Sequence, residues 1–145
     1  MDRTVLVSFA LLGGLLGAVG QLNNVAPALL RDSTPRSLGF GVFALGGVLF
    51  LLSTVVVALV GYRTGRRVDL ADEFARFAAT AGIAGGLGVL VGSAVVLAAA
   101  PVSMGYGVPG VVVGVSYNAV TKAVSIGLYA LAGAAVAHFE SSTRA

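Results

Sequence analysis

The chain has 145 residues, 57% hydrophobic and 10% charged, with a net charge of +3 and a mean hydropathy of +0.98. A soluble domain carries roughly a quarter of its residues charged, so water cannot be the solvent for most of this surface. The basic balance does not mark a nucleic-acid binder, because the arginines flank apolar runs instead of forming a basic face. The absence of cysteine excludes disulfides, a thiol nucleophile and cysteine-based metal sites.

Four runs carry no charge: 4–30, 37–62, 77–121 and 123–137. A helix needs about 20 apolar residues, at about 1.5 Å rise each, to cross roughly 30 Å of hydrocarbon. The third run is about twice that length. Within it, Pro101 and Pro109 flank Met104-Gly105-Tyr106-Gly107, a place for the chain to break and reverse. The spans are therefore expected at about 4–20 (continuing towards 26), 38–60, 77–100 and 118–139. This is an all-α membrane protein, a four-helix transmembrane bundle forming a single integral membrane domain over 1–145.

Orientation follows from the basic residues between spans. Placing both termini in the cytoplasm collects Arg3, Arg63, Arg66, Arg67, Arg76 and Arg144 on that side, leaving Arg31 and Arg36 outside. Phe40, Phe43, Tyr106 and Tyr117 then fall at the outer interface, with Tyr62, Phe74, Phe77 and Phe139 at the inner one. Met1-Asp2-Arg3, the apolar run after it and Ala18-Val19-Gly20 also fit a secretory signal cleaved before Gln21. That alternative leaves three spans in the same orientation. Richness in Ala, Val and Gly, with Lys122 the only lysine, points to a GC-rich prokaryote, archaeal or actinobacterial, and to the cell membrane.

The loop 63–76 is the one substantial polar segment. Asp69, Asp72 and Glu73 suit the start of the helix leading into the third span. Arg63, Arg66 and Arg67 read first as a stop-transfer cluster at the headgroups, and secondly as a site for anionic lipid or a partner.

Small residues at spacing four allow helix backbones to approach closely in lipid. Gly13 and Gly17 in span one, and Gly82/Gly86 and Gly88/Gly92 in span three, have that spacing and are expected at helix contacts. Polar residues mark two faces. In span four Asn118, Lys122, Ser125, Tyr129 and Gly133 share one side of the helix. In span one Gln21 and Asn24 continue the line of Gly13 and Gly17. Their polar ends share one half of the membrane, so Gln21 or Asn24 is expected to reach Asn118 or Lys122 in a hydrated cluster. The competing reading has Lys122 about one turn inside span four, snorkelling to the headgroups. Ser53, Thr54 and Ser93 can return hydrogen bonds to their own helices.

No span contains Asp or Glu, which removes the carboxylate of proton-coupled exporters, and no metal-ligand, phosphate-loop or serine-nucleophile pattern is present. No cofactor or metal is expected, and nothing nominates an enzyme. Gly13-Gly14 with Gly17-Ala18, and Gly82-x-x-Gly85-Gly86, resemble the glycine motifs of the small four-helix fluoride channels over about a dozen positions. Ala44 and Leu45 stand where that family places a pore asparagine, and Leu87-Gly88-Val89-Leu90-Val91 replaces its Thr/Phe/Ser run. The likeness is one of helix-packing glycines. The leading expectation is a structural or accessory subunit whose partners are the bilayer and other membrane subunits. The alternative is a small homo-oligomeric transporter or channel using the polar faces of spans one and four.

Overall fold

A computed structural model describes residues 3–29, 35–66, 68, 70–99 and 107–143. Backbone amides in hydrocarbon must be satisfied within their own segment, which leaves uncharged runs of this length one solution, the helix. The described chain forms α1 (Arg3–Leu29), α2 (Pro35–Leu51), a π-helical turn (Leu52–Val56), α3 (Val57–Gly65), α4 (Leu70–Ala99) and α5 (Gly107–Thr143), with no strand. The α2, π and α3 segments are one continuous rod, the second span. Four stretches are long and apolar enough to cross a membrane: Arg3–Ala26, Gly39–Gly65, Glu73–Ala99 and Pro109–Glu140.

The last of these corrects the expected start of span four at 118. Gly107 adopts φ +64, a left-handed conformation open to glycine, and the helix begins there. Pro109 falls in the first turn, where its missing N–H costs no intrahelical bond. The proline that reads as a breaker is a starter. Of the loop features, Arg67 and Asp69 lie outside the described residues, as do Met104, Gly105 and Tyr106. Glu73 pairs with Arg76 at 3.6 Å in the first turns of α4.

Packing follows the glycines. α1 and α4 run in the same direction, and their backbones touch. A Cβ on Gly13 would overlap the Gly85 carbonyl, one on Gly17 would overlap Val89, and those on Gly88 and Gly92 would strike Ala10 and Gly14. α4 then packs antiparallel on α5. Cβ atoms on Gly82 and Gly86 would lie 2.9 Å from the Ala123 carbonyl oxygen and 2.7 Å from its methyl. α3 runs alongside α5 with Gly61 on Ala130, Gly65 on Ala134, and Gly133 against Ala58. Phe9, Leu16, Val57, Val89 and Ile126 fill the core between these contacts, and Phe9 meets Phe77 edge-on with ring centres 6.2 Å apart.

One half of the second span stands apart from this pattern. α2 leans on α1 near Leu49, beside Gly20, but Cβ atoms on Gly39, Gly41, Gly46 and Gly47 would meet nothing within 4 Å. Phe40 is 75% and Phe43 80% exposed. The rod is held through α3 and left bare along α2.

Glycines at backbone contacts and those facing open space should therefore respond oppositely to one added methyl. Gly13→Ala or Gly133→Ala should destabilise the detergent-solubilised protein by roughly 1–3 kcal/mol, whereas Gly46→Ala should leave it unchanged or slightly firmer. Thermal melting followed by size-exclusion chromatography distinguishes the two classes.

Candidate functional site

The polar residues of α5 share one flank of the helix. Gly133, the last member of the series Asn118, Lys122, Ser125, Tyr129, abuts Ala58 of α3. Residues at spacings of three and four below it in sequence lie on that same side of the helix. Asn118, Lys122 and Ser125 are half-buried there, and Tyr129 is 41% exposed. Ser125 returns its hydroxyl to the Thr121 carbonyl at 2.9 Å.

Lys122 lies far from either end of its helix. About 20 Å of α5 separates it from Pro109 at 1.5 Å per residue. Its neighbour Ala123 meets Gly82 and Gly86 of α4, and Gly85 in turn meets Gly13 of α1. Lys122 thus stands level with the middle of α1 and α4, not one turn inside a span. Among the described residues it makes no hydrogen bond or ion pair.

The two polar faces read from the sequence are not brought together. α1 and α5 form no extended interface, because α4 lies between them at the level of Gly85, touching Gly13 on one side and Ile126 on the other. Gln21 stands one turn beyond Gly17, which packs on Val89 of α4, and it is 6% exposed. Asn24 is exposed, while Asn23 is half-buried with its Oδ1 covered and without a hydrogen-bond partner. The burial series in α1 runs Gly17, Gln21, Val25, in steps of four, and leaves Asn24 off it.

Ser53 and Thr54 do return their hydroxyls within the helix, both to the Phe50 carbonyl, at 3.2 and 2.6 Å. Ser93 bonds across the interface instead, donating to the Gly17 carbonyl at 3.4 Å. Close approach at Gly17 brings that oxygen within reach, a pairing that spacing within one helix does not reveal. At the arginine-bearing end, the Tyr62 hydroxyl donates to Glu140 Oε2 at 2.5 Å, and the Arg66 guanidinium lies 5.7 Å from the Tyr62 ring centre. Arg63 is exposed beside them. An open, almost wholly apolar groove of about 470 Å³ runs between the second span and α5, lined by Thr54, Val55, Ala58, Leu59, Tyr62 and Val136. Among the described residues no three His, Asp or Glu side chains are close enough to share a metal ion.

The described fold is an all-helical bundle with four helices of membrane-crossing length and apolarity. No protein-family model, curated protein or solved structure matches the chain.

Two cross-helix bonds can be weighed separately. Ser93→Ala should lower stability by about 0.6 kcal/mol, the average for hydrogen bonds between membrane helices. Tyr62→Phe should cost about 1 kcal/mol by releasing Glu140. Each is read as a shift in melting temperature in the same detergent.

Proposed function

We propose that this chain is a structural or accessory subunit of a membrane complex, a multi-pass protein of the cell membrane with both termini in the cytoplasm. The observation that carries the reading is the half-packed second span. Elsewhere the helices meet backbone to backbone, yet α2 presents Gly39, Gly41, Gly46 and Gly47 to open space along a helix of membrane-crossing apolarity. In lipid, such small-residue faces acquire stability from another helix and from little else.

A small transporter or channel is the second reading, favoured by the alignment of Asn118, Lys122 and Ser125 on one half-buried face. In a homo-oligomer, though, each added copy brings another Lys122 and no compensating acid near it. That is a cost in hydrocarbon unless the face is watered.

Native mass spectrometry after gentle extraction from the host membrane separates the readings. A stoichiometric, unrelated membrane protein in the particle is the expected result. A homo-oligomer that conducts ions when reconstituted would replace the accessory reading with the transporter. Orientation is checked independently, because the chain has no native cysteine. A membrane-impermeant thiol reagent should label Ser37→Cys in intact cells and leave Arg63→Cys unlabelled until the cells are opened.

A further inference from the structure

Beside the contact of Gly133 with Ala58, the second span and α5 leave an open groove of about 470 Å³. Those two small residues form its floor, where the backbones touch, and the exposed Val55, Leu59 and Val136 stand along its rims. The hydroxyl of Thr54, which also lines it, is returned to the Phe50 carbonyl. In a bilayer such a recess does not stay empty, and walls this apolar give water too few partners to hold it. What fits is hydrocarbon. From Thr54 to Tyr62 the groove runs about 12 Å at 1.5 Å per residue, close to one leaflet of a hydrocarbon core of roughly 30 Å. It has the reach of an acyl chain entering from one side of the membrane.

That side is basic. Tyr62 lines the groove near the end of the span Gly39–Gly65. One turn further along the same wall come Arg63, following Leu59, and Arg66, following Tyr62. The Arg66 amide bonds the Tyr62 carbonyl at 3.3 Å, so the helical turn carries through, and its guanidinium lies 5.7 Å from the Tyr62 ring centre. On the opposite wall Glu140, one turn beyond Val136, accepts the Tyr62 hydroxyl and holds the ring at the mouth. Arg63 and Arg66 are both exposed, and among the described residues neither makes an ion pair. Guanidinium forks take phosphate oxygens two at a time. Two cations beside one acid leave the mouth net positive, which favours a headgroup of net negative charge over a zwitterion.

We propose that the groove binds one anionic phospholipid, with an acyl chain over Ala58 and Gly133 and the phosphate held by Arg63 and Arg66. The inference goes beyond the accessory-subunit reading and stands equally for a transporter. The headgroup supplies the selectivity, because an acyl chain gains little by exchanging lipid for protein. Each arginine at a membrane surface strengthens the hold on anionic lipid by about fivefold. Groove and arginines act together: the first fixes where the chain lies, the second which lipid stays.

The test is native mass spectrometry of the purified chain released from nanodiscs of equimolar dioleoylphosphatidylglycerol and dioleoylphosphatidylcholine. One retained phosphatidylglycerol per chain is the expected adduct. Its affinity should fall about fivefold in Arg63→Gln or Arg66→Gln and roughly thirtyfold in the double variant. Leu59→Trp and Val136→Trp, each filling the groove from an exposed rim, should lower it with both arginines in place. Arg36→Gln, at the other end of the same rod, should leave it unchanged. Circular dichroism and size-exclusion profiles identify the folded variants, and the arginine variants, altered only on an exposed surface, keep the test open if a tryptophan disrupts packing. No retained lipid, equal retention of the two lipids, or a loss in Arg36→Gln as large as in Arg63→Gln overturns the site. Retention that survives folded Leu59→Trp and Val136→Trp overturns the groove as the seat of the acyl chain. A protein crosslinked from position 59 in host membranes, in place of lipid, overturns the lipid as occupant. None of these results touches the accessory reading, which is decided by the protein content of the particle.

Discussion

Apolar side chains gain little by leaving lipid for protein, and that constraint explains most of what holds these helices together. Association must come from dispersion at close range and from hydrogen bonds between helices. The chain meets it with glycine and alanine at the contacts: Gly13 on Gly85, Gly17 on Val89, Gly61 on Ala130, Gly133 on Ala58. The large side chains divide in two. Phe9, Leu16 and Ile126 fill the core, whereas Leu11, Val113 and Phe43 cover the outside. Once backbones are this close, a carbonyl such as that of Gly17 becomes available to a neighbour, and Ser93 takes it.

The same economy makes the exceptions conspicuous. A bundle that seals its helices through glycine leaves the glycines of α2 uncovered, and a chain whose acids lie at or beyond the ends of its long apolar helices still carries a lysine midway along one of them. The π turn at Leu52–Val56 marks where the second span passes from its packed to its bare half. π-helical turns recur at functional sites, and this one separates a closely packed part of the rod from one that touches only α1, near Leu49.

Much of the fold was legible because charge is expensive in hydrocarbon. The arginines bracket the helices, and uncharged length counts them. The glycine pairs named from spacing lie at backbone contacts for the same reason, that steps of four recur on one face. What spacing within a helix does not hold is which helix faces which. Gln21 and Lys122 share a half of the membrane on paper, yet the order around the bundle sets α4 between their helices. Pro109 misled because proline ends helices more visibly than it begins them, and the earlier start sets Lys122 midway along α5 instead of near its beginning.

The order of contacts also bears on how the chain is made. Spans emerge in sequence, yet the first pair of the bundle touches mainly where Leu49 approaches Gly20, and the intimate interfaces join α1 to α4 and α3 to α5. The helices synthesised first thus have little to hold them to each other. α1 acquires its main neighbour only once α4 has been made, and the second span is moored chiefly by the last helix. The close backbone contacts of the bundle therefore wait on the second half of the chain.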